Sequence, residues 1–396
     1  MNSRHRSSVQ VGDVAQLFDG RRLRLARQLA GLRKNQLAEQ VGRTPTAIAS
    51  YEKNTKRPAA ATVAQLSLAL GVDPSFFLPG PVELEFSDVV AHFRSLRSTT
   101  QLARDQALAY GLATVEISAT LERHVEFPNS DIQDVEFSGQ EESPEDAARR
   151  LRSHWDLPEG PLPHLVRSAE NRGVLVVFSP PASASVDAYS FEGMSRPVVV
   201  LNPEKRDYYR QRFDLAHELG HLVMHADAEP GSAKIEAQAD RFAAEFLMPG
   251  EHMTGLLPGR ADWGQLQRMK ESWGVSLQAL LYRSRALGAM SEVTYRNAMV
   301  FLSSKGWRRR EPGVMPVLEQ PSLLPGAVAL LEGSGISRHE LAEEARVPLD
   351  LFQHICSRVP QYEKEPHSSI DRQDLPDGVV SLFSKSSPGG SGLVNS

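Results

Sequence analysis

The run Arg212-Phe213-Asp214-Leu215-Ala216-His217-Glu218-Leu219-Gly220-His221 constrains this chain more than any other stretch. Phe213, Leu215, Ala216, Leu219, Leu222 and Val223 recur at helical spacing with no proline among them, which predicts one continuous helix. Four residues at about 1.5 Å rise each set His217 and His221 roughly 6 Å apart on one helix face. Two imidazoles presented in that way chelate one tetrahedral ion. Glu218 lies beside them as a carboxylate able to take a proton from water. A solvated helix carrying two histidines by chance is the plain alternative for this pentapeptide alone.

A tetrahedral catalytic site needs a third protein ligand and an open fourth position. Glu236 begins a second helical stripe, Ala237, Ala239, Phe242, Ala243, Phe246 and Leu247, which Pro249-Gly250 ends. Glu236 and Asp240 are four apart and share a face. Glu236 is the candidate third ligand, and Asp240 the acceptor for the free N–H of a ligating histidine. Glu245 has the same face relation but lies deeper toward the helix end. His225 is four beyond His221 and about 12 Å from His217 by helical rise, too far for one ion to take all three. It is read as a helix-end or substrate-cleft residue.

The pattern Arg-Phe-x-Leu-Ala-His-Glu-Leu-Gly-His, followed by Glu-x-x-Ala-Asp-x-Phe-Ala-x-x-Phe-Leu-Met-Pro, resembles the ImmA/IrrE-type metallopeptidases over roughly residues 145–300. That resemblance implies Zn2+ held by His217, His221 and Glu236, Glu218 as catalytic base, and a repressor protein as substrate. Asp240 stands where the family often has Asn, and Gln238 where it often has Glu.

At 396 residues the chain has room for about two or three domains. The longest apolar runs, such as Val174–Phe178, are too short to span a bilayer. Met1–Val11 is basic but lacks the apolar core of a signal peptide. A single cysteine, Cys356, excludes an intrachain disulfide and a Cys-rich metal site. Together these argue for a cytoplasmic protein with no membrane partner. The net charge of −5 conceals an asymmetry: residues 1–60 carry twelve Lys/Arg against four Asp/Glu. Only the N-terminal part has the sign that a phosphate backbone attracts.

Val14–Leu78 reads as five short helices. Leu37-Ala38 sits on a short second helix ending at a Gly42 turn; Thr44 caps a third, with Pro45 in its first position. A short helix, a glycine turn and a capped helix describe a helix-turn-helix whose later helix enters the major groove. The pattern Leu37-Ala38, Gly42, Ile48, Tyr51-Glu52-Lys53, Arg57-Pro58, Leu66, Ala69-Leu70-Gly71-Val72 resembles the XRE-type repressor domain over about residues 15–78. Thr46, Ala47 and Ser50 are the candidates for base edges. Arg33, Lys34, Lys53, Lys56 and Arg57 suit phosphate contacts, which position without reading sequence. The family often has Gln where Lys34 stands.

The expected organisation is a DNA-binding domain over 12–80, a helical connector over 81–127, an acidic linker over 128–143 and a metallopeptidase domain over 144–310. Beyond it come a helical region over 320–360 and a Gly/Ser-rich tail over 386–396. Within the connector, apolar residues at near-helical intervals over 83–126 suggest a packed or dimer-forming helical hairpin. In the helical region, Gly335-Ile-Ser-Arg-His-Glu-Leu341-Ala342-Glu-Glu-Ala345 echoes Gly31-Leu-Arg-Lys-Asn-Gln-Leu37-Ala38-Glu-Gln-Val41, and Phe352 stands where Ile48 does. This is a degenerate second helix-turn-helix whose would-be reading helix is acidic and apolar. Strands are expected at Gly173–Phe178, Ala188–Phe191 and Pro197–Leu201, so the fold class is mainly α with a small β-sheet, α+β. A strand edge beside the metal helix can pair with an extended substrate backbone. Tyr282 and Arg283 are read as core packing and surface charge rather than as oxyanion donors.

These readings combine into a transcriptional regulator that binds operator DNA as a homodimer and carries a zinc endopeptidase domain acting on a regulatory protein. The rival readings are a transcription factor whose zinc fold only senses a ligand or partner, and an antitoxin-like module using that fold as an interaction surface.

Overall fold

A computed structural model describes residues 11–82, 91–93, 100–132, 142–181, 187–192, 196–225 and 232–362, with backbone alone at 91–93. The basic N-terminus, most of the acidic stretch 128–143 and the Gly/Ser-rich tail lie outside the described residues. All that is described belongs to one unit spanning Met1–Tyr362.

Many helices start where a short polar side chain precedes the apolar periodicity. The first five are α1 (Val11–Gln16), α2 (Gly20–Leu29), α3 (Lys34–Gln40), α4 (Pro45–Glu52) and α5 (Ala60–Leu70), followed by a 3-10 turn at Pro74–Phe77. Asp19 and Thr44 cap α2 and α4 by accepting from Arg21 N and Ala47 N. Gly42, at φ +60°, makes the turn between α3 and α4. Leu23, Leu37, Ile48, Val63, Leu66 and Phe77 form the core of this bundle.

The connector differs from a helical hairpin. It supplies one short strand, β1 (Ala91–Phe93), and one long helix, α6 (Gln101–Leu121). The remaining residues of 83–99 lie outside the described set. Hydrophobic spacing alone does not separate a strand from a helix turn in so short a run.

Then come α7 (Pro144–His154), α8 (Leu165–Glu170), β2 (Leu175–Phe178), β3 (Ala188–Glu192), β4 (Pro197–Leu201), α9 (Tyr208–Met224) and α10 (Ala233–Leu247). The sheet order is β1-β3-β4-β2; β3 is antiparallel to both neighbours, and β2 and β4 run parallel. Alternation sorts the side chains. Val176, Phe178, Ala188, Val199 and Leu201 face α7 to α10, whereas Leu175, Val177, Tyr189, Phe191, Val198 and Val200 face α6 and the C-terminal helices. The sheet is therefore the middle of three layers. At Gly111 an added Cβ would lie 2.2 Å from the Phe191 ring, so only glycine lets α6 come this close.

The described ends of the acidic stretch are packed. Ile132 is buried in the core, and Asp131 accepts from Trp155 Nε1 at 3.0 Å and from Arg172 at 3.2 Å. Residues 133–141 are not described.

The C-terminal helices are α11 (Gly250–Met253), α12 (Trp263–Trp273), α13 (Leu277–Ala286), α14 (Glu292–Ser304), α15 (Leu323–Gly333), α16 (Arg338–Glu344) and α17 (Leu349–Ile355). The last three follow α2 to α4 in spacing and in turn geometry. Gly31 and Gly335 both have positive φ, as do Gly42 and Arg346. A capping box opens both α3 and α16. Arg43 N bonds to Ala38 O as Val347 N bonds to Ala342 O. Leu341, Ala342, Phe352 and Ile355 bury against the sheet and α6, so this triplet's core is continuous with the sheet's outer face. No helix among the described residues is long and apolar enough to cross a membrane.

Candidate metal centre and nucleic-acid interface

Asp207 caps α9 by accepting from Tyr209 N and Arg210 N, and the helix then runs unbroken through the histidine pair. Arg212 anchors it: fully buried, it donates to Gly274 O at 3.0 Å and Leu162 O at 2.7 Å and pairs with Glu319. Ser232 caps α10, which packs on α9 at Gly220. A Cβ at Gly220 would sit 2.9 Å from the Phe242 ring. That close approach brings Glu236 over the two histidines.

Among the described residues, His217, His221 and Glu236 have donor atoms within 4.8 Å of one another. The two Nε2 atoms are 3.1 Å apart, and Glu236 carboxylate oxygens lie 3.4 Å from His217 Nε2 and 3.6 Å from His221 Nε2. Ligand bonds of about 2.0–2.1 Å at tetrahedral angles would place donors about 3.3 Å apart, so the set fits one small tetrahedral ion. Both histidines are buried, while Glu236 is a quarter exposed and leaves the site open on that side.

Each imidazole is also held from behind. Asp240 Oδ1 is 2.9 Å from His217 Nδ1. His225 Nδ1 is 3.1 Å from His221 Nδ1, and Gln238 Oε1 is 3.2 Å from His225 Nε2. His225 is the C-cap of α9, and its position four residues beyond His221 sets the two rings against each other, centroids 5.1 Å apart. It orients a candidate ligand instead of facing a cleft. Its spacing of four from His221 was the only sequence signal for this.

Glu218 is fully buried, and Ser190 Oγ donates to its Oε2 at 2.7 Å. Ser190 lies mid-strand on β3, and nothing in the sequence near it points to this role. Glu245 lies elsewhere: buried, it pairs with Arg149 at 3.0 Å and with Arg283, and accepts from Gly250 N. Arg283 is accordingly a buried structural cation that also donates to Met248 O at 3.0 Å, not a surface charge.

At the other end of the chain, the candidate DNA-contacting residues are exposed or half-buried. Arg33, Lys34, Thr46, Lys53, Lys56 and Arg57 are exposed; Ala47 and Ser50 are half-buried. Ser50 Oγ donates to Thr46 O at 2.9 Å. Arg27 and Glu52 form a buried pair at 2.5 Å that ties α2 to α4. Lys34 Nζ lies 3.6 Å from Glu52, so its charge is partly shared with that acid. Arg43, which composition alone did not single out, is exposed beside the turn and donates to Thr62 Oγ1 at 2.9 Å.

An exposed basic helix-turn-helix joined through a sheet layer to a His-Glu-x-x-His helix defines a class: a DNA-binding regulator with a metallopeptidase-like domain. Residues 23–77 match the family described as helix-turn-helix, and residues 169–285 match the IrrE N-terminal-like domain of the M78 peptidases. Over 96 residues the chain is 34% identical to uncharacterized HTH-type transcriptional regulators of Sinorhizobium medicae (strain WSM419) and Rhizobium meliloti (strain 1021). Each match covers 22% of this chain and 69% of the relative. The chain belongs to the HTH-type transcriptional regulators, as an XRE-type helix-turn-helix fused to an IrrE/ImmA-like domain.

Proposed function

We propose that this regulator is a zinc-dependent endopeptidase that cuts a regulatory protein and binds operator DNA as a homodimer through α3 and α4. The observation that carries the peptidase reading is the tetrahedral spacing of His217, His221 and Glu236 around a helix that also bears Glu218. A bound Zn2+ would supply Lewis acidity at the scissile carbonyl and favour ionisation of water. Glu218 accepts the proton of the attacking water and returns it to the departing amine. Ser190 holds the Glu218 carboxylate in place during both transfers. Asp240 and His225 keep the His217 and His221 rings turned so that their Nε2 atoms converge.

On DNA, Thr46, Ala47 and Ser50 read base edges, while Arg33, Lys34, Lys53, Lys56 and Arg57 contact phosphates. The test of the whole reading is incubation of the zinc-loaded protein with candidate regulators, followed by mass spectrometry of the products. New termini in one regulator, absent with Glu218→Gln, support it. Regulators that all remain intact, at zinc saturation, reject it.

One observation favours a second reading, a sensor that cleaves nothing. Arg22 of the DNA-binding bundle is buried against Glu116 of α6, so the bundle is tied to the helix that backs the sheet. A ligand at the metal centre could then alter DNA binding without proteolysis.

A further inference from the structure

The strand nearest the candidate base is β3, because Ser190 touches Glu218. Without β1, β3 would be the edge of the sheet on the side away from β4. An extended polypeptide added at that edge would run one strand spacing, about 4.8 Å, from β3 and next to Glu218. That position is taken. β1 pairs antiparallel with β3, with Ala91 opposite Phe191, His92 opposite Ser190 and Phe93 opposite Tyr189. The residue of β1 at the centre of the register thus faces the residue that holds the base.

Among the described residues β1 pairs with β3 at Ala91, His92 and Phe93. Its removal would bare a strand edge whose N–H and C=O groups seek a new partner. β1 also belongs to the segment that joins the DNA-binding bundle to α6 in sequence.

We infer that β1 is the chain's own stand-in for substrate: it occupies the outer edge of β3, and an extended segment of the target protein docks there by displacing it. The inference rests on the proteolytic reading for the meaning of that edge, but docking is measurable without cleavage. Self-occupancy lowers apparent affinity by the fraction of chains with the edge open.

The test uses full-length, zinc-loaded Glu218→Gln chain with and without Ala91→Pro and His92→Pro. Neighbouring strand residues aim their N–H groups to opposite sides, so the pair removes a ladder donor whichever one faces β3. Hydrogen exchange at Tyr189–Phe191 should accelerate in the double-proline chain. Fluorescein-labelled β-casein, an extended polypeptide probe, should bind roughly tenfold tighter by anisotropy. Equal casein affinity in the two chains, with exchange accelerated, overturns the inference. Should the proline chain not fold, Gly at 91–93 weakens the strand at constant length, and the same two readouts decide. A chain with Glu218 intact that clips itself within 83–99 also overturns it, since β1 would then be substrate. Candidate regulators left intact by that chain, with tighter casein binding on β1 release, sink the proteolytic reading and leave the docking edge standing.

Discussion

Arg22 and Glu116 form an ion pair with both side chains almost wholly buried, although 94 residues separate them in sequence. Arg22 also donates to Phe76 O at 2.9 Å and to Arg346 O at 2.5 Å. One guanidinium therefore joins the DNA-binding bundle, the sheet-backing helix and the second helix triplet. Burial pushes the Glu116 carboxyl up to about 6, against the pull of Arg22.

The pH consequence follows from that direction. The folded chain holds the Glu116 proton more tightly than the unfolded chain does, so this group's stabilisation is full below about pH 4.5 and is lost as pH rises through about 6. Between pH 5 and 7 the loss is about 1 kcal/mol. Urea unfolding at both pH values should show that slope in the wild type and about 1 kcal/mol less of it in Glu116→Gln. Equal slopes in the two chains would mean that Glu116 titrates at its ordinary value. Arg22→Met should cost about 3–5 kcal/mol by leaving a buried carboxylate alone.

The metal centre yields a graded series. His217→Ala, His221→Ala and Glu236→Ala should each abolish stoichiometric zinc by elemental analysis, since a three-ligand site missing one member binds poorly. Asp240→Ala should weaken affinity by about 10–100-fold while keeping the site, because it only orients His217. His225→Ala should act the same way through His221. Undiminished zinc in Glu236→Ala would remove it from the ligand set.

Glu245 separates ligation from packing. It is answered by Arg149 and Arg283 and lies in the buried seam between α7, α10 and α13. Glu245→Ala should lower stability by about 3–5 kcal/mol. Its zinc content, measured on folded protein, should stay at one ion per chain.

Much of the architecture was legible because it is written locally. Thr44-Pro45 starts a helix at the residue where the chain begins to turn, and the β-branched runs at 175–178 and 197–201 are strands. The histidine pair was legible for the same reason, since helical spacing alone puts both rings on one face. What sequence did not disclose depends on distant partners. Arg21, Arg22 and Arg24 look alike in the chain, yet only a helix arriving from residues 101–121 makes Arg22 the buried one. Ser190 gained its place under Glu218 from strand register, and β1 from pairing with a strand about a hundred residues on. Both are long-range events with no local signature.

On DNA, Ser50→Ala and Lys56→Ala should part company. Ser50 is half-buried on α4, the helix proposed to read bases, so its loss should relax preference at a single base position by about 1–3 kcal/mol. Lys56 is exposed beyond the helix end and should act on all sequences alike. Its replacement should lower the slope of log K against log salt by about 0.9 for each phosphate that the lysine neutralises. Binding titrations on specific and scrambled operators, at several salt concentrations, would measure both. Parallel behaviour of the two variants would move the reading surface off α4.

Glu218 and Ser190 give the sharpest division between an enzyme and a sensor. Glu218 is not among the atoms that converge on the metal position, so Glu218→Gln should keep zinc and operator affinity and lose cleavage altogether. Ser190→Ala keeps Glu218 but removes the hydroxyl that donates to its carboxylate. If Ser190 is a positioning residue, kcat should fall about tenfold with KM little changed, because the loss is felt only while the proton moves. Ser190→Thr retains the hydroxyl and should restore most of the rate. A purely structural role for Ser190 would instead lower the melting temperature and kcat together, without rescue by Thr. In cells, a Glu218→Gln chain that still supports every regulatory response would leave the centre as a sensor. Loss of the response with zinc and DNA binding intact would require the proton transfer itself.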